Sequence, residues 1–127
     1  MLNSDGGIET DLTIVAIDEN HFRIISSAAT RERDKHHIKK HLNKDIELKD
    51  VTDDYCVFGL FGPKSRNLLS LLSKDNFDNE NFKFGTAKFI SIEDIKIWTQ
   101  RLSYVGELGY ELYVEANDAK KIYELII

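Results

Sequence analysis

Residues 101–111, RLSYVGELGYE, join the end of one strand to the start of the next through a glycine turn. Gly106 and Gly109 stand three positions apart, and a pair of glycines at this spacing indicates a tight turn. In the strand that follows, side chains alternate between the two faces. Glu111 is therefore predicted to share a face with Tyr113, while Glu107 is left as a turn residue.

The rest of the sequence predicts three rounds of a hairpin followed by a helix, with no sequence similarity between the rounds. Acidic or amide residues mark the hairpin turns at 18–20, 53–54 and 93–94. We predict strands at 12–17, 22–25, 46–51, 55–61, 84–92, 95–102 and 110–114. The predicted helices are 30–42, one starting at Pro63 that buries Leu68, Leu69, Leu71 and Leu72, and one capped by Asn117.

Hairpins dominate this pattern and helices are mixed among them, which predicts an α+β fold on an antiparallel sheet. The length of 127 residues fits one domain. The chain opens almost directly into a glycine turn, and its apolar end, 123–127, has no helix-terminating residue. We therefore expect residues 1–127 to be a partial domain, truncated at both ends and in contact with flanking domains of the same protein.

The composition and net charge of the chain limit the classes of molecule that it is expected to bind. The content of 42% hydrophobic and 31% charged residues is typical of a globular protein, and the net charge of −5 argues against nucleic acid. No apolar stretch approaches the roughly 20 residues of a membrane span, and the first residues lack a signal-peptide pattern. Cys56 is the only cysteine and lies in an apolar run, which predicts a buried structural thiol. A single cysteine also excludes an internal disulfide, which favours a reducing compartment such as the cytoplasm.

Two segments resemble known sites without meeting their requirements. In residues 59–65, GLFGPKS, Pro63 interrupts the spacing of a phosphate loop, so a helix-initiating turn is favoured. His37 and His41 lie four positions apart with Asp34 near the same helix face, but zinc needs three or four ligands. We predict a solvated helix face there and no metal site.

Asp11 stands out through its setting. It follows Gly6 and Gly7 at the entry of an otherwise apolar strand. Glycines allow another backbone or a ligand to approach closely. A carboxylate here is well placed to face a cavity, although on local grounds a turn-capping role is the stronger alternative.

Glu111 stands out through its neighbours, Tyr104, Tyr110 and Tyr113. Tyrosine rings stack on flat heteroaromatic groups, and a carboxylate accepts two parallel N–H bonds. An edge-strand glutamate paired with a lysine or arginine is about equally compatible with the pattern.

These motifs resemble the aminomethyltransferase family, which includes the T-protein of the glycine cleavage system. Residues 6–13, GGIETDLT, and residues 101–111 occur in the family's order and spacing. Residues 50–52 and 60–66 are most similar to one branch, the folate-binding C-terminal part of dimethylglycine and sarcosine dehydrogenases. The family usually has two adjacent acids where this chain has Thr10 and Asp11, and its asparagine after the second strand is replaced by Ser26 and Ser27.

The resemblance implies roles for particular residues. Asp11 falls on the catalytic aspartate at the reacting nitrogens of tetrahydrofolate, and Glu111 on the glutamate that binds the pterin. Arg101 and Tyr104 are expected to shape the wall of the same cofactor-binding pocket.

The resemblance also implies a function. The domain would bind tetrahydrofolate and capture a methylene unit from an N-methyl amine as 5,10-methylenetetrahydrofolate, with FAD only in a missing upstream domain. Two alternatives stay open: a T-protein that takes its aminomethyl group from lipoate, and a non-catalytic folate-binding module. The expected partners are folate and the amine substrate, not nucleic acid or membrane.

Overall fold

Every strand pair is antiparallel in the computed structural model, which describes residues 1–127. The chain divides into two units, residues 1–50 and residues 51–127. Helices are interspersed among the hairpins in both units. The predicted α+β class and antiparallel sheet are therefore confirmed.

The first unit is a hairpin followed by a helix, as predicted. Strands β1 (Thr13–Ala16) and β2 (Phe22–Ile25) pair along their whole length. Asp18 forms the turn between them, because its Oδ1 accepts hydrogen bonds from the backbone N–H groups of Asn20 and His21. Helix α1 (Arg31–His41) follows and is largely exposed, with only Asp34 and Ile38 buried.

The strand predicted at 46–51 is wrong. These residues form no ladder, and the strand that follows them pairs with a different partner. Asp50 explains part of the outcome, because its Oδ2 accepts hydrogen bonds from Arg31 Nε at 2.9 Å and Lys35 Nζ at 3.2 Å. The alternating segment thus ends against the cationic side of α1, and Ile46 stays 55% exposed.

The second unit is a four-stranded sheet with two helices. Its strands are β3 (Tyr55–Phe61), β4 (Ala87–Ile92), β5 (Ile95–Gln100) and β6 (Gly109–Glu115), in the order β3-β6-β5-β4. Helix α2 (Ser65–Leu72) follows β3, and α3 (Ala119–Ile126) follows β6. The central position of β6 places residues 109–115 between two neighbours. Short 3-10 turns occur at Ala28–Thr30 and Thr52–Asp54.

One face of this sheet carries the core. Alternate residues of β6 point into it together with apolar residues of β4, β5, both helices and the 73–86 loop. The enclosed side chains give most of the favourable burial energy of the unit. The fully enclosed members are Leu69, Phe77, Phe82, Ile90, Ile92, Ile97, Tyr110, Leu112, Val114 and Ile122.

Several local predictions in the second unit need correction. Leu71 is 84% exposed, because it lies on the side of α2 opposite to the buried Leu69. Pro63 precedes α2 in a turn closed by the hydrogen bond from Ser65 N to Gly62 O, so it is not a helical residue. Asp118, not Asn117, is the N-cap residue of α3.

Cys56 is exposed, so the prediction of a buried thiol is wrong. It lies near the start of β3, which is an edge strand, opposite Val114 of β6. An apolar run usually indicates a strand that is buried on both faces. β3 is at the edge of the sheet and pairs with β6 alone, so part of this strand remains exposed despite its apolar sequence.

None of the helices has the length and apolar character needed to cross a membrane.

Candidate binding site

Strand β6 separates its polar and apolar side chains cleanly. Tyr110, Leu112 and Val114 are fully buried in the core. Glu111 and Tyr113 point to the opposite side of the sheet, as the alternation predicted. We call this side the Glu111 face; it carries Glu111, Tyr113, Gln100, Gly59 and Phe61.

A hydrogen bond fixes the orientation of the Glu111 carboxylate. Tyr113 donates its hydroxyl proton to Oε2 of Glu111 across 2.7 Å. Glu111 is half-buried, and this bond engages one of its two oxygens. A carboxylate has about four acceptor positions, so capacity remains for further donors. The partner of Glu111 in this bond is a tyrosine hydroxyl, and not the lysine or arginine that the alternative prediction required.

Gln100 is the neighbour of Glu111 on the adjacent strand β5. The two residues are directly paired in the antiparallel register, so their side chains leave the sheet on the same face. Gln100 is 1% exposed, and its Nε2 has no hydrogen-bond partner. A buried donor without a partner costs about 1–3 kcal/mol. An acceptor atom of a bound water, ion or ligand would remove this cost.

Two glycines and one aromatic ring form the surface next to these polar groups. Gly59 of β3 is the other direct partner of Glu111, and Gly109 is paired with Phe61. A Cβ atom at Gly59 would lie 2.5 Å from Cε2 of Phe61, and one at Gly109 would meet both the same ring and the carbonyl of Leu102. The ring of Phe61 therefore lies directly on glycine backbone beside the carboxylate.

The three tyrosines expected around Glu111 lie in different environments. Tyr113 is bonded to the carboxylate, as described above. Tyr110 is in the core, where its ring packs against Phe77 and Phe82, so its predicted place beside Glu111 is wrong. Tyr104 lies in the 103–108 turn and is 92% exposed.

Arg101 is held by the loop before β4. Its Nη1 donates a hydrogen bond to the carbonyl oxygen of Phe82. Its backbone N–H bonds Thr86 O, and its own carbonyl accepts from Gly85 N, each at 2.9 Å. Arg101 thus extends the β4–β5 ladder by one residue, while its buried Nε has no partner.

Asp11 lies in the first unit, two residues before β1, and its side chain is exposed. The glycine turn before it is capped by Asn3, whose Oδ1 accepts hydrogen bonds from Asp5 N at 3.1 Å and Gly7 N at 2.8 Å. The turn-capping role weighed for Asp11 therefore belongs to Asn3. The Asp11 carboxylate is left available for other chemistry.

His37 and His41 of α1 contact each other. The rings of His37 and His41 are 4.6 Å apart, and His41 Nδ1 lies 2.9 Å from His37 O. The nearby Asp34 is buried and bonded to Thr30 at 2.6 Å. The structure contains no group of three or more His, Cys, Asp or Glu side chains able to hold a metal ion.

Gln100 and Phe61 were missed in the sequence. Their signal lies in the strand register, because both become neighbours of β6 only when the three strands are aligned. An isolated glutamine at the end of an apolar strand, or a phenylalanine before Gly-Pro, carries no indication of binding by itself.

A sheet face that offers a carboxylate, a phenol hydroxyl, an amide and an aromatic ring is suited to holding a flat, polar small molecule. Comparison with protein-family models gives the family: the model described as the GCVT N-terminal domain matches residues 1–127. The chain belongs to this family, which the sequence resemblance had indicated.

Individual relatives agree with this assignment. The chain is 32% identical to mitochondrial dimethylglycine dehydrogenase from Mus musculus, over 100% of this chain and 15% of that protein. It is 33% identical to an aminomethyltransferase from Geobacillus kaustophilus, over 100% of this chain and 35% of the relative. It is 32% identical to 4-methylaminobutanoate oxidase (formaldehyde-forming) from Paenarthrobacter nicotinovorans, over 98% of this chain and 15% of that enzyme. The chain thus spans about a third or less of these relatives.

Proposed function

We propose that this chain is the tetrahydrofolate-binding, one-carbon-transfer portion of a larger dimethylglycine or sarcosine dehydrogenase-like enzyme. The observation that carries the proposal is the Glu111 carboxylate, held by Tyr113 at 2.7 Å on a sheet face beside a donor without a partner. Tetrahydrofolate, when bound, supplies the amine nitrogens that take up the carbon as 5,10-methylenetetrahydrofolate.

The chemistry of the Glu111 face fits a pterin. The pterin ring presents an amino group and a ring N–H side by side, and a carboxylate accepts both through a bidentate pair of charge-assisted bonds. The next group along the ring is a carbonyl, which needs a donor. Gln100 Nε2 is an amide donor on the strand next to Glu111. Glu111 and Gln100 together match this donor-donor-acceptor edge.

Asp11 would act on the reacting amine. An exposed carboxylate that is not used in the glycine turn is able to accept a proton as the amine nitrogen attacks the incoming carbon. Its negative charge also stabilises cationic species along the reaction path.

Arg101 and Tyr104 would contribute to the wall around the folate. The ring of Tyr104 is 92% exposed and is therefore available for stacking. Arg101 would support the wall through its bond to Phe82 O.

The names of the relatives support a proposal for the class of amine substrate. Dimethylglycine and 4-methylaminobutanoate, which give two of the relatives their names, are both N-methyl amines. We therefore propose an N-methyl amine that is oxidised by a flavin elsewhere in the full-length protein. We propose a cytoplasmic location, or the mitochondrial matrix in a eukaryote. The second of these accords with the mouse relative, which is mitochondrial.

A glycine cleavage T-protein is the second candidate, because the Geobacillus aminomethyltransferase is 33% identical to the chain. The two functions differ in what precedes the folate domain. A strand-turn-helix unit with a GxGxxG motif upstream would indicate the dehydrogenase, since this unit binds dinucleotides. A protein that uses lipoate-bound aminomethyl groups would not need it.

The test is to replace Asp11 with Asn and Glu111 with Gln in the full-length protein. We expect Asp11→Asn to lower the yield of 5,10-methylenetetrahydrofolate at least tenfold while folate affinity is retained, since general base catalysis contributes about 10²–10⁴-fold. Glu111→Gln should weaken folate binding. Unchanged yield and unchanged folate affinity in both variants would contradict the proposal.

A further inference from the structure

Phe61 is a residue of the Glu111 face to which the proposed function gives no task. It is the last residue of β3 and is paired with Gly109 of β6. Glu111 is paired with Gly59, which lies two positions before Phe61 in β3. Residues two apart in a strand point to the same face, so positions 59 and 61 both leave the sheet on the side of Glu111.

Contacts with two glycines show where the ring of Phe61 lies. A Cβ atom at Gly59 would lie 2.5 Å from Cε2 of the ring, and one at Gly109 would overlap Cδ1. Cε2 and Cδ1 are opposite corners of the phenyl ring. The ring therefore extends across β3 and β6, above the backbone of one glycine in each strand. Phe61 is half-buried, so part of the ring stays accessible.

The ring takes the place beside Glu111 that a side chain at position 59 would fill. Directly paired residues of an antiparallel ladder have Cβ atoms about 4.5–5.5 Å apart. Glu111 thus has the Phe61 ring on its β3 side and Gln100 on its β5 side. Gln100 is 1% exposed, and its Nε2 has no hydrogen-bond partner. An aromatic ring, a carboxylate and a buried donor consequently form one row across three strands.

We propose that Phe61 is the stacking surface for the flat ring whose edge Glu111 and Gln100 bind, and that Gly59 keeps Phe61 in this position. The inference rests on the proposed function, because the flat ring in question is the pterin of tetrahydrofolate. The polar edge selects the hydrogen-bonding pattern of the ligand, whereas an aromatic side chain adds contact with its ring. Phe61 is therefore a binding residue of the folate site.

Gly59 connects this role to the backbone. A separation of 2.5 Å is too short for two carbon atoms that are not bonded, so a Cβ atom at position 59 would force the ring of Phe61 to move. The ring would then leave the place beside Glu111. Gly59→Ala thus displaces the stacking surface without removing it from the chain.

The experiment measures tetrahydrofolate affinity by calorimetric titration of the full-length protein. Phe61→Leu removes the flat ring but keeps an apolar side chain, and Phe61→Tyr keeps the ring. Gly59→Ala displaces the ring and provides a second route if Phe61→Leu does not fold. Phe89→Leu is the matched control, because Phe89 lies on the same side of the sheet and its ring packs against Trp98 at 4.9 Å.

We expect Phe61→Leu to weaken tetrahydrofolate binding about tenfold, since stacking on an aromatic side chain contributes at this level. Phe61→Tyr and Phe89→Leu should each bind within about twofold of the wild type, because the stacking ring is retained in both. Gly59→Ala should weaken binding at least about threefold in the wild-type background. It should have an effect of less than about twofold when Phe61→Leu is already present, since the ring that it displaces is then gone.

Three results would overturn the inference. One is wild-type affinity in a folded Phe61→Leu or Gly59→Ala protein. Another is an equal loss of affinity in Phe61→Leu and Phe89→Leu. The third is an effect of Gly59→Ala that is the same with and without the ring of Phe61. Failure of the proposed function looks different, because Glu111→Gln itself would then leave the affinity for tetrahydrofolate unchanged.

Discussion

The hydroxyl of Tyr113 sets the direction of the Glu111 carboxylate without adding charge to it. Replacing Tyr113 with Phe should keep the carboxylate but release its orientation. Loss of one bond to a charged group is worth about 1.5 kcal/mol, so we expect folate affinity to fall about tenfold. Isothermal titration of the full-length variant measures this. Tyr123→Phe, on a half-exposed position of α3, is the control and should bind normally.

Gln100 should show opposite effects on stability and binding. Gln100→Leu removes a buried donor that has no partner in the chain, so the free energy of unfolding should rise by about 1 kcal/mol. The same change removes the donor proposed for the pterin carbonyl, so folate affinity should fall. Urea unfolding of the 127-residue chain and folate titration of the full-length protein measure the two quantities. A variant that is less stable and binds folate normally would contradict this role.

The start of β6 depends on the absence of a side chain at Gly109. A Cβ atom there would lie 2.7 Å from the carbonyl oxygen of Leu102, which is backbone and cannot rotate away. At Gly59 the nearest atom belongs to the ring of Phe61, which has more freedom to move. Gly109→Ala should therefore lower the free energy of unfolding by about 2–3 kcal/mol, and Gly59→Ala by less. Urea unfolding of both variants tests the order, which equal losses would contradict.

The buried carboxylate of Asp34, which accepts a hydrogen bond from Thr30 at 2.6 Å, predicts a pH dependence of stability. Because the folded-state pKa of Asp34 is lowered, its contribution is complete above the ordinary value of 3.8 and is lost as the pH falls through the lowered value. At pH 7, Asp34→Asn should reduce the free energy of unfolding by about 2 kcal/mol. The difference between wild type and variant should shrink at pH 3. A difference that is constant from pH 7 to pH 3 would contradict this account.

The strands that pair locally could be predicted from the sequence. The turn residues at 18–20 and 93–94 and the glycines before β6 specify their hairpins through short-range hydrogen bonds and backbone freedom. The segment 46–51 has the same alternation, yet the ion pairs of Asp50 with Arg31 and Lys35 decide its course. Such contacts join residues 15 or more positions apart, and no local pattern encodes them.

Across the whole chain, the sequence predicted individual candidate residues, but it did not predict which residues lie next to them. Asp11 and Glu111 were found through motifs, whereas Gln100 and Phe61 required the register of β3, β5 and β6. Tyr110 was misplaced because adjacent residues in a motif occupy opposite faces of a strand. Asp34 was assigned to a solvated helix face, yet it is 2% exposed, because helical spacing alone does not show which residues of a charged helix become buried.

The central claim is that the carboxylate of Glu111 binds the pterin ring of folate. One pair of variants of the full-length protein tests this claim directly. Glu111→Gln and Glu107→Gln make the same chemical change four residues apart, with Glu107 in the exposed turn. Calorimetric titration with tetrahydrofolate should give an affinity at least about 30-fold weaker for Glu111→Gln, corresponding to about 2 kcal/mol, and a wild-type affinity for Glu107→Gln. Equal affinities for the two variants and the wild type would contradict the assignment of Glu111.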